Sequence, residues 1–111
     1  MDVLIPDKTY FRIGEVSRIL DVEPYVVRYW ESEFKTVKPK RTTADHRLYR
    51  RQDLEELLLI KGLLYTDHFT IRGAKQELAR RRSEYRDQER LIRIKQELEQ
   101  LKDLLADENP H

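Results

Sequence analysis

The residues best suited to polar recognition lie in a short segment that begins at Pro24. At helical spacing, the side chains of this segment divide into two opposite stripes. The apolar stripe consists of Val27, Trp30 and Phe34. The opposite stripe can donate hydrogen bonds to phosphates or base edges, and it consists of Tyr25, Arg28, Tyr29 and Ser32. This composition predicts a nucleic-acid contact, and the alternative is that the aromatic side chains enlarge a small core.

A dense cluster of positive charge follows this segment. Residues 35–51 carry one acidic side chain, Asp45, and seven basic ones, in a chain whose overall net charge is +1. The basic residues are Lys35, Lys38, Lys40, Arg41, Arg47, Arg50 and Arg51. A local positive field of this strength attracts a polyanion. A second basic run, residues 80–82, is predicted to be solvated and to pair with Glu77 and Glu84 on one helix, and the alternative is a DNA contact.

The sequence lacks the residues that a metal site, a cysteine nucleophile or a phosphate-binding loop would require. The chain has no cysteine, which excludes a disulfide framework, a thiolate metal site and a cysteine nucleophile. Its histidines, His46, His68 and His111, are scattered, so we predict no metal site. The glycines are isolated and form no phosphate loop. We therefore expect neither an enzyme nor a bound cofactor.

The elements that must position the polar stripe are mostly helical. The length of 111 residues suits one domain, and charged residues make up 39% of it. Helices are predicted at about residues 13–21, with Gly14 as cap, and at 24–34. The short gap between them indicates a helix-turn-helix. Residues 36–49 are predicted to form a two-stranded hairpin, or wing.

The C-terminal half is predicted to be helical. One helix is expected over residues 52–65, and Thr70 caps the next one. In the last segment, residues 83–106, apolar side chains recur at alternating steps of three and four, which is a heptad seam. The seam consists of Leu91, Ile94, Leu98, Leu101 and Leu105. It predicts a short dimeric coiled coil, and the alternative is that this helix packs back onto Leu57, Leu58 and Leu64 of its own chain.

The chain contains four short motifs in a fixed order, which are Ile13-Gly14-Glu15-Val16, Val27-Arg28-Tyr29-Trp30-Glu31, Arg47-Leu48-Tyr49 followed by Asp53-Leu54, and Phe69-Thr70-Ile71. Together they resemble the MerR family of bacterial transcriptional regulators. Their order and spacing match over about residues 10–80, which makes the resemblance specific. Because the chain has no cysteine near the seam and no ligand-binding domain after it, it resembles the short members of the family.

The resemblance implies a winged helix-turn-helix whose second helix enters the major groove. Carried over by residue, it implies backbone contacts from Arg28 and Tyr29 and wing contacts from Arg41 and Arg47. We add Tyr25, Lys40 and Arg50 to the candidate DNA contacts.

Four positions depart from the family pattern. Trp30 stands where a second tyrosine is usual, which favours a role in the core. Glu23 occupies the position of a serine or threonine cap, and His46 replaces a wing aromatic. Arg50 replaces a serine and thereby adds a candidate phosphate contact.

These expectations give a mostly α fold. We predict a winged helix-turn-helix over residues 10–82, a dimerisation helix over 83–106, and flexible termini at 1–9 and 107–111. The predicted function is a sequence-specific, DNA-binding transcriptional regulator that acts as a homodimer on a pseudo-palindromic operator. The alternatives are a structural or adaptor protein that holds DNA or another protein, and an accessory factor of the excisionase type.

The expected partners are double-stranded DNA, a second copy of the chain and, at a promoter, RNA polymerase. The longest apolar run, Leu57-Leu58-Leu59-Ile60, is too short to span a membrane. We therefore expect no membrane contact and a cytoplasmic location.

Overall fold

The structure is a computed structural model that describes residues 5–44 and 46–107. Its elements are the strand β1 (Tyr10–Arg12), the helices α1 (Ile13–Leu20) and α2 (Pro24–Glu33), the strands β2 (Lys40–Arg41) and β3 (Arg47–Arg50), the helix α3 (Arg51–Lys61), a π-helical turn (Gly62–Thr66) and the helix α4 (Ile71–Asp107). The prediction of a mostly helical protein with a small wing is confirmed.

Helices α1 and α2 form the predicted helix-turn-helix. Helix α1 is followed by its C-cap, Asp21, whose backbone is left-handed with φ 56°, a conformation that aspartate tolerates better than most residues. The next residue, Val22, donates its N–H to the carbonyl of Ser17 at 3.1 Å, which closes the turn. Helix α2 then begins at Pro24, where the fixed φ of proline suits a first helical position.

The caps of these two helices differ from the sequence expectation. The prediction of Gly14 as cap is wrong, because Arg12 is the N-cap of α1 and Gly14 lies inside the first turn. Strand β1 runs directly into α1, so the helix begins at Ile13. At α2 the side chain of Glu23 makes no cap hydrogen bond, and only its backbone carbonyl accepts the N–H of Val26.

The wing belongs to a three-stranded antiparallel sheet with the strand order β1-β3-β2. Strand β3 is central, and it pairs Tyr49 with Phe11 of β1 and Leu48 with Lys40 of β2. Only two strands were predicted from the sequence, because the three residues of β1 are too few to show an alternating pattern. Tyr49 and Phe11 are fully buried, so β1 fixes the sheet to the core.

The core lies among α1, α2, α3 and the sheet. Its larger buried side chains are Phe11, Val16, Leu20, Val27, Trp30, Phe34, Tyr49, Leu54, Leu57, Ile60 and Leu63. The ring of Trp30 meets the ring of Tyr65 edge to face, with a centroid distance of 5.8 Å. The expected core role of Trp30 is confirmed.

Helix α3 begins one residue earlier than predicted, and a π-helical turn follows its last residue. Asp53 accepts the N–H of Arg50 at 2.9 Å, which satisfies one free donor at the start of the helix. Near the other end, the ammonium of Lys61 donates to the carbonyl of Leu20, the last residue of α1. The predicted helix over 52–65 is wrong in its last four residues, 62–65, which belong to the π-helical turn Gly62–Thr66.

The fourth helix and the last predicted segment are one helix of 37 residues, α4. The prediction that Thr70 caps it is confirmed, because the Oγ1 of Thr70 accepts the N–H of Gly73 at 3.0 Å. The chain divides into two compact units between Lys75 and Gln76. In the described ranges, no helix is long and apolar enough to cross a membrane.

The ends of the chain were predicted to be flexible over residues 1–9 and 107–111. Residues 1–4 and 108–111 lie outside the described residues. Within the remaining N-terminal part, Lys8 pairs with Glu15 at 2.5 Å. The carbonyl of Pro6 accepts a hydrogen bond from Arg51 at 3.2 Å. Residues 6 and 8 thus contact the rest of the first unit.

Candidate nucleic-acid interface

Helix α2 presents a polar, aromatic face to solvent. Tyr25 is 65% exposed and Tyr29 is 51% exposed, and Arg28 beside them is exposed as well. Because Val27 and Trp30 are buried on the other side, the rotation of the helix is fixed and this face must point outward. The alternative that Tyr25 and Tyr29 enlarge the core is wrong. The fourth member of the stripe, Ser32, donates its hydroxyl to the carbonyl of Tyr29 at 2.6 Å.

Strand β2 brings two exposed cations, Lys40 and Arg41, to an edge of the sheet. The ammonium of Lys40 lies 5.7 Å from the ring centroid of Tyr10, a cation–π distance. Arg41 is paired in register with Arg47 of β3. Two like charges directly opposite each other on neighbouring strands are destabilising, so this part of the wing favours a nearby anion.

Glu31 of α2 supplies a negative charge to the wing from within the protein. Its Oε1 accepts a hydrogen bond from the Nε of Arg47 at 3.2 Å, and its Oε2 accepts one from the hydroxyl of Tyr49 at 2.9 Å. Burial, together with the bond to Glu31, raises the pKa of the Tyr49 hydroxyl well above its ordinary value. The helix that carries the polar face is therefore joined directly to the central strand.

Asp53, which is 1% exposed, fixes the other end of the wing. Its two carboxylate oxygens accept the backbone N–H of Lys38, just before β2, at 3.2 Å and that of Arg50, at the end of β3, at 2.9 Å. The Nε of Arg50 also lies 3.4 Å from this carboxylate. Arg50, a predicted phosphate contact, is thus half-buried beside an acidic group.

The unit that begins at Gln76 has an exposed apolar stripe. Every side chain over residues 83–106 is exposed. The five seam residues are each more than half exposed, and they are Leu91, Ile94, Leu98, Leu101 and Leu105. Among residues 5–44 and 46–107 of a single chain, nothing covers this stripe.

The basic run at residues 80–82 is bound to acidic neighbours on its own helix. Arg80 lies 2.6 Å from Glu77 and 2.6 Å from Glu84, and Arg81 lies 2.9 Å from Glu77. The predicted pairing is confirmed. Hydrogen bonds from Arg80 and Arg81 lower the pKa of Glu77 to about 2.

The histidines do not come together in the described part of the chain. His46 lies in the wing, His68 lies in the loop before α4 with φ 58°, and His111 is outside the described residues. Among residues 5–44 and 46–107, no group of three acidic or imidazole side chains could hold a metal ion.

Sequence reasoning missed the two carboxylates that hold the wing. Glu31 and Asp53 both belong to the MerR-like motifs, but no role was predicted for either of them. A usable signal existed, because seven clustered cations repel one another and a nearby carboxylate reduces that repulsion in the folded state. The identity of the partner was hidden, since Glu31 and Arg47 are 16 residues apart in the chain.

The fold and the site together define a winged helix-turn-helix domain with a basic wing. The model of the MerR HTH family regulatory protein matches residues 11–81, which is more than half of the chain. The protein therefore belongs to the MerR family. This is a family of transcriptional regulators and not of enzymes.

The chain is similar to two regulators of known name. It is 31% identical to the HTH-type transcriptional regulator GlnR of Bacillus cereus over 106 residues, which cover 91% of this chain and 78% of GlnR. It is 35% identical to the HTH-type transcriptional regulator MlrA of Escherichia coli K12 over 51 residues, which cover 46% of this chain. The matched part spans only 21% of the length of MlrA.

A solved structure has the same fold. It is that of HiNmlR, a MerR family regulator lacking the sensor domain, bound to promoter DNA. The TM-score is 0.54 and the sequence identity is 18%, with 87% of this chain and 85% of HiNmlR covered. At this identity the match supports the fold alone.

Proposed function

We propose that this protein is a sequence-specific, DNA-binding transcriptional regulator that acts as a homodimer on a pseudo-palindromic operator. The observation that carries the proposal is the outward face of α2, where Tyr25, Arg28 and Tyr29 lie together beside a basic wing. An α-helix fits the major groove, where side chains on its outer face reach phosphates and base edges. Membership of the MerR family supports the same function.

Seven residues would contact DNA, in two groups. Tyr25, Arg28 and Tyr29 on α2 would contact the groove and the backbone beside it. The wing would contact the flanking backbone through Lys40, Arg41, Arg47 and Arg50. Since Arg47 and Arg50 each lie beside a carboxylate, their guanidinium donors would be shared between protein and phosphate.

The exposed stripe on α4 supports the homodimer. We propose residues 10–82 as the DNA-binding domain and residues 83–106 as the dimerisation helix. Two such helices would cover each other's seam by knobs-into-holes packing. Arg93, Lys95, Glu97, Glu99 and Lys102 flank the seam and could pair across the interface. A twofold dimer would then read two half-sites about one turn of DNA apart.

A further partner follows from the class of regulator. HiNmlR is described as bound to promoter DNA. We propose that the operator of this protein also lies in a promoter, which would make RNA polymerase a further partner. Chromosomal DNA as the ligand implies a location in the bacterial cytoplasm.

Selection of bound sites from random DNA, followed by gel shifts, tests the proposal. We expect an inverted repeat that is bound at least about a thousandfold more tightly than unrelated DNA. Arg28→Ala should weaken binding strongly, whereas Arg86→Ala, a change at an exposed arginine of the second unit, should not. Equal affinity for all DNA would instead indicate a structural or adaptor protein. Binding of one copy to a single half-site would indicate an accessory factor of the excisionase type.

A further inference from the structure

We propose that Glu31 is a positioning residue for DNA binding, which holds the wing at a fixed orientation to α2 through Arg47 and Tyr49. This inference rests on the proposed function, since the wing and α2 are the two parts that would contact DNA. Glu31 itself would not touch the DNA.

The position of Glu31 is unfavourable for a carboxylate that makes no specific contact. It lies on α2 one turn after Arg28, a candidate DNA contact, and its side chain is only 17% exposed. A carboxylate at this place repels the phosphates of an approaching duplex, and it is costly to desolvate. Its two hydrogen bonds to the central strand offset these costs.

The geometry of the two hydrogen bonds constrains both distance and rotation. Arg47 and Tyr49 are two residues apart on β3, so their side chains leave the same face of the sheet. The two oxygens of one carboxylate each take one of these donors, at 3.2 Å and 2.9 Å. Because the ring of Tyr49 is fully buried, its hydroxyl is a rigid point to which α2 is attached.

The pairing of β3 with β1 supports one side of the wing, whereas β2 on the other side is short. Strand β2 contributes two residues, and one of its two pairs with β3 sets Arg41 opposite Arg47. Glu31 counters the repulsion within this pair, and Asp53 holds the far end of the wing through the N–H groups of Lys38 and Arg50. Without Glu31, the wing would keep its carboxylate contacts at Asp53 and the bond from the hydroxyl of Thr36 to Glu56 at 2.9 Å, and neither of these involves a residue of α2.

The sign of the charge makes the proposal testable with Glu31→Gln, a substitution of nearly the same shape. If Glu31 were only a negative charge near the DNA, its removal would leave operator binding unchanged or tighter. If it positions the wing, the amide loses a charge-assisted bond, and we expect operator binding to weaken about tenfold. Binding to unrelated DNA, which needs no fixed geometry, should be unchanged or tighter.

Glu33→Gln is the matched control. It removes the same charge from the same helix, but Glu33 pairs with Lys75 at 2.9 Å instead of with the wing. Its operator affinity should equal or exceed that of the wild type. All proteins are compared at a temperature at which their thermal melts show them to be folded. The ratio of operator to unrelated affinity then excludes a mere loss of stability, which would lower both affinities together.

Tyr49→Phe examines the second donor. It removes the hydroxyl and keeps the buried ring, so it should weaken operator binding in the same direction as Glu31→Gln. The double variant should lose less than the product of the two single effects, because both changes alter the same contact between residues 31 and 49. Fully multiplicative effects would overturn the assigned contact.

Amide hydrogen exchange in the free protein separates this inference from the proposed function. The amides of Arg47–Arg50 should exchange faster in Glu31→Gln than in Glu33→Gln or the wild type, and equal rates would overturn the inference. Operator binding by Glu31→Gln at or above the wild-type affinity would also overturn it, with the proposed function intact. A wild-type protein that selects no site would overturn the proposed function, and the exchange rates would then still decide whether Glu31 holds the wing.

Discussion

The two units of this protein differ in the exposure of their apolar side chains. In the unit that ends at Lys75, the apolar residues of three helices and a sheet enclose one another, and even the polar Asp53 is buried with its hydrogen bonds made. Among the described residues, no buried side-chain nitrogen or oxygen lacks a partner. In the unit from Gln76, the leucines and isoleucines of residues 91–105 are all exposed.

This difference shows which unit can be stable by itself. The first unit contains its own core, so its stability should not depend on protein concentration. The second is a helix whose internal support is a set of exposed ion pairs, and such pairs contribute little. A lone helix in water is marginal, so its order should depend on a second chain.

The largest expected effect comes from placing a charge in the seam. Leu98→Lys should give a folded monomer, because burying an unpaired ammonium costs several kcal/mol, more than two heptads can supply. A monomer reads one half-site, so operator affinity should fall by about a hundredfold or more. Analytical ultracentrifugation and gel shifts measure the two effects. Gln96→Lys adds the same charge away from the seam and should remain a dimer. A Leu98→Lys protein that still dimerises would place the interface elsewhere.

The core of the first unit offers the next largest effect. Leu57 is fully buried, so Leu57→Ala should lower the free energy of unfolding by about 2–5 kcal/mol. The loss should be the same at every protein concentration. Leu101→Ala in the seam should instead make the midpoint of thermal unfolding of the second unit more dependent on concentration. If the unfolding of both variants depends on protein concentration to the same extent, the two units do not differ in their need for a second chain.

A smaller effect is expected at the wing. Arg41→Ala should weaken binding to the operator and to unrelated DNA by similar factors, because phosphate contacts carry no sequence information. The slope of log K against log salt should become shallower by about 0.9 per phosphate, or about 1.8 for a dimer. Gel shifts over a range of salt concentrations measure the slope, with Arg86→Ala as control. An unchanged slope and affinity would show that the wing assignment is wrong.

The smallest effect concerns the ion pairs of the second unit. The pKa of Glu77 is lowered to about 2 by Arg80 and Arg81, so its carboxylate favours the folded helix at neutral pH. Because the folded pKa lies below the ordinary value, this contribution is present above about pH 4.5 and is lost as the pH falls through 2. A titration followed by NMR should find the low midpoint. Glu77→Gln should change the melting temperature little, since both arginines of these pairs are largely exposed.

Where a segment contains repeated apolar residues at helical spacing, the sequence predicted the helix and its exposed face correctly. Helices α1 and α2 each show at least two helical repeats of apolar residues, and Pro24 marks the start of the second. The exposure of Tyr25 and Tyr29 followed from the burial of Val27 and Trp30 on the opposite stripe. Here local periodicity was sufficient, because each side chain's direction is set within its own helix.

Structural features that depend on contacts between residues far apart in the chain were not predicted from the sequence. Strand β1 exists because Phe11 pairs with Tyr49, which lies 38 residues later in the chain. The contacts of Glu31 likewise join α2 to a strand 16 to 18 residues away. The π-helical turn leaves the same apolar residues in place and changes only their hydrogen bonds, so hydrophobic spacing could not reveal it. Such features require the folded backbone.

The position of Trp30 also has a spectroscopic consequence. It is the only tryptophan of the chain, it lies on α2, and it is 3% exposed with Tyr65 at its edge. Its fluorescence therefore comes from one apolar site, and energy absorbed by Tyr65 can reach it over 5.8 Å. Because the indole faces away from the outward stripe, a duplex bound to that stripe would leave its emission nearly unaltered. A shift of the emission to longer wavelength would thus report the opening of the first unit, without any added dye.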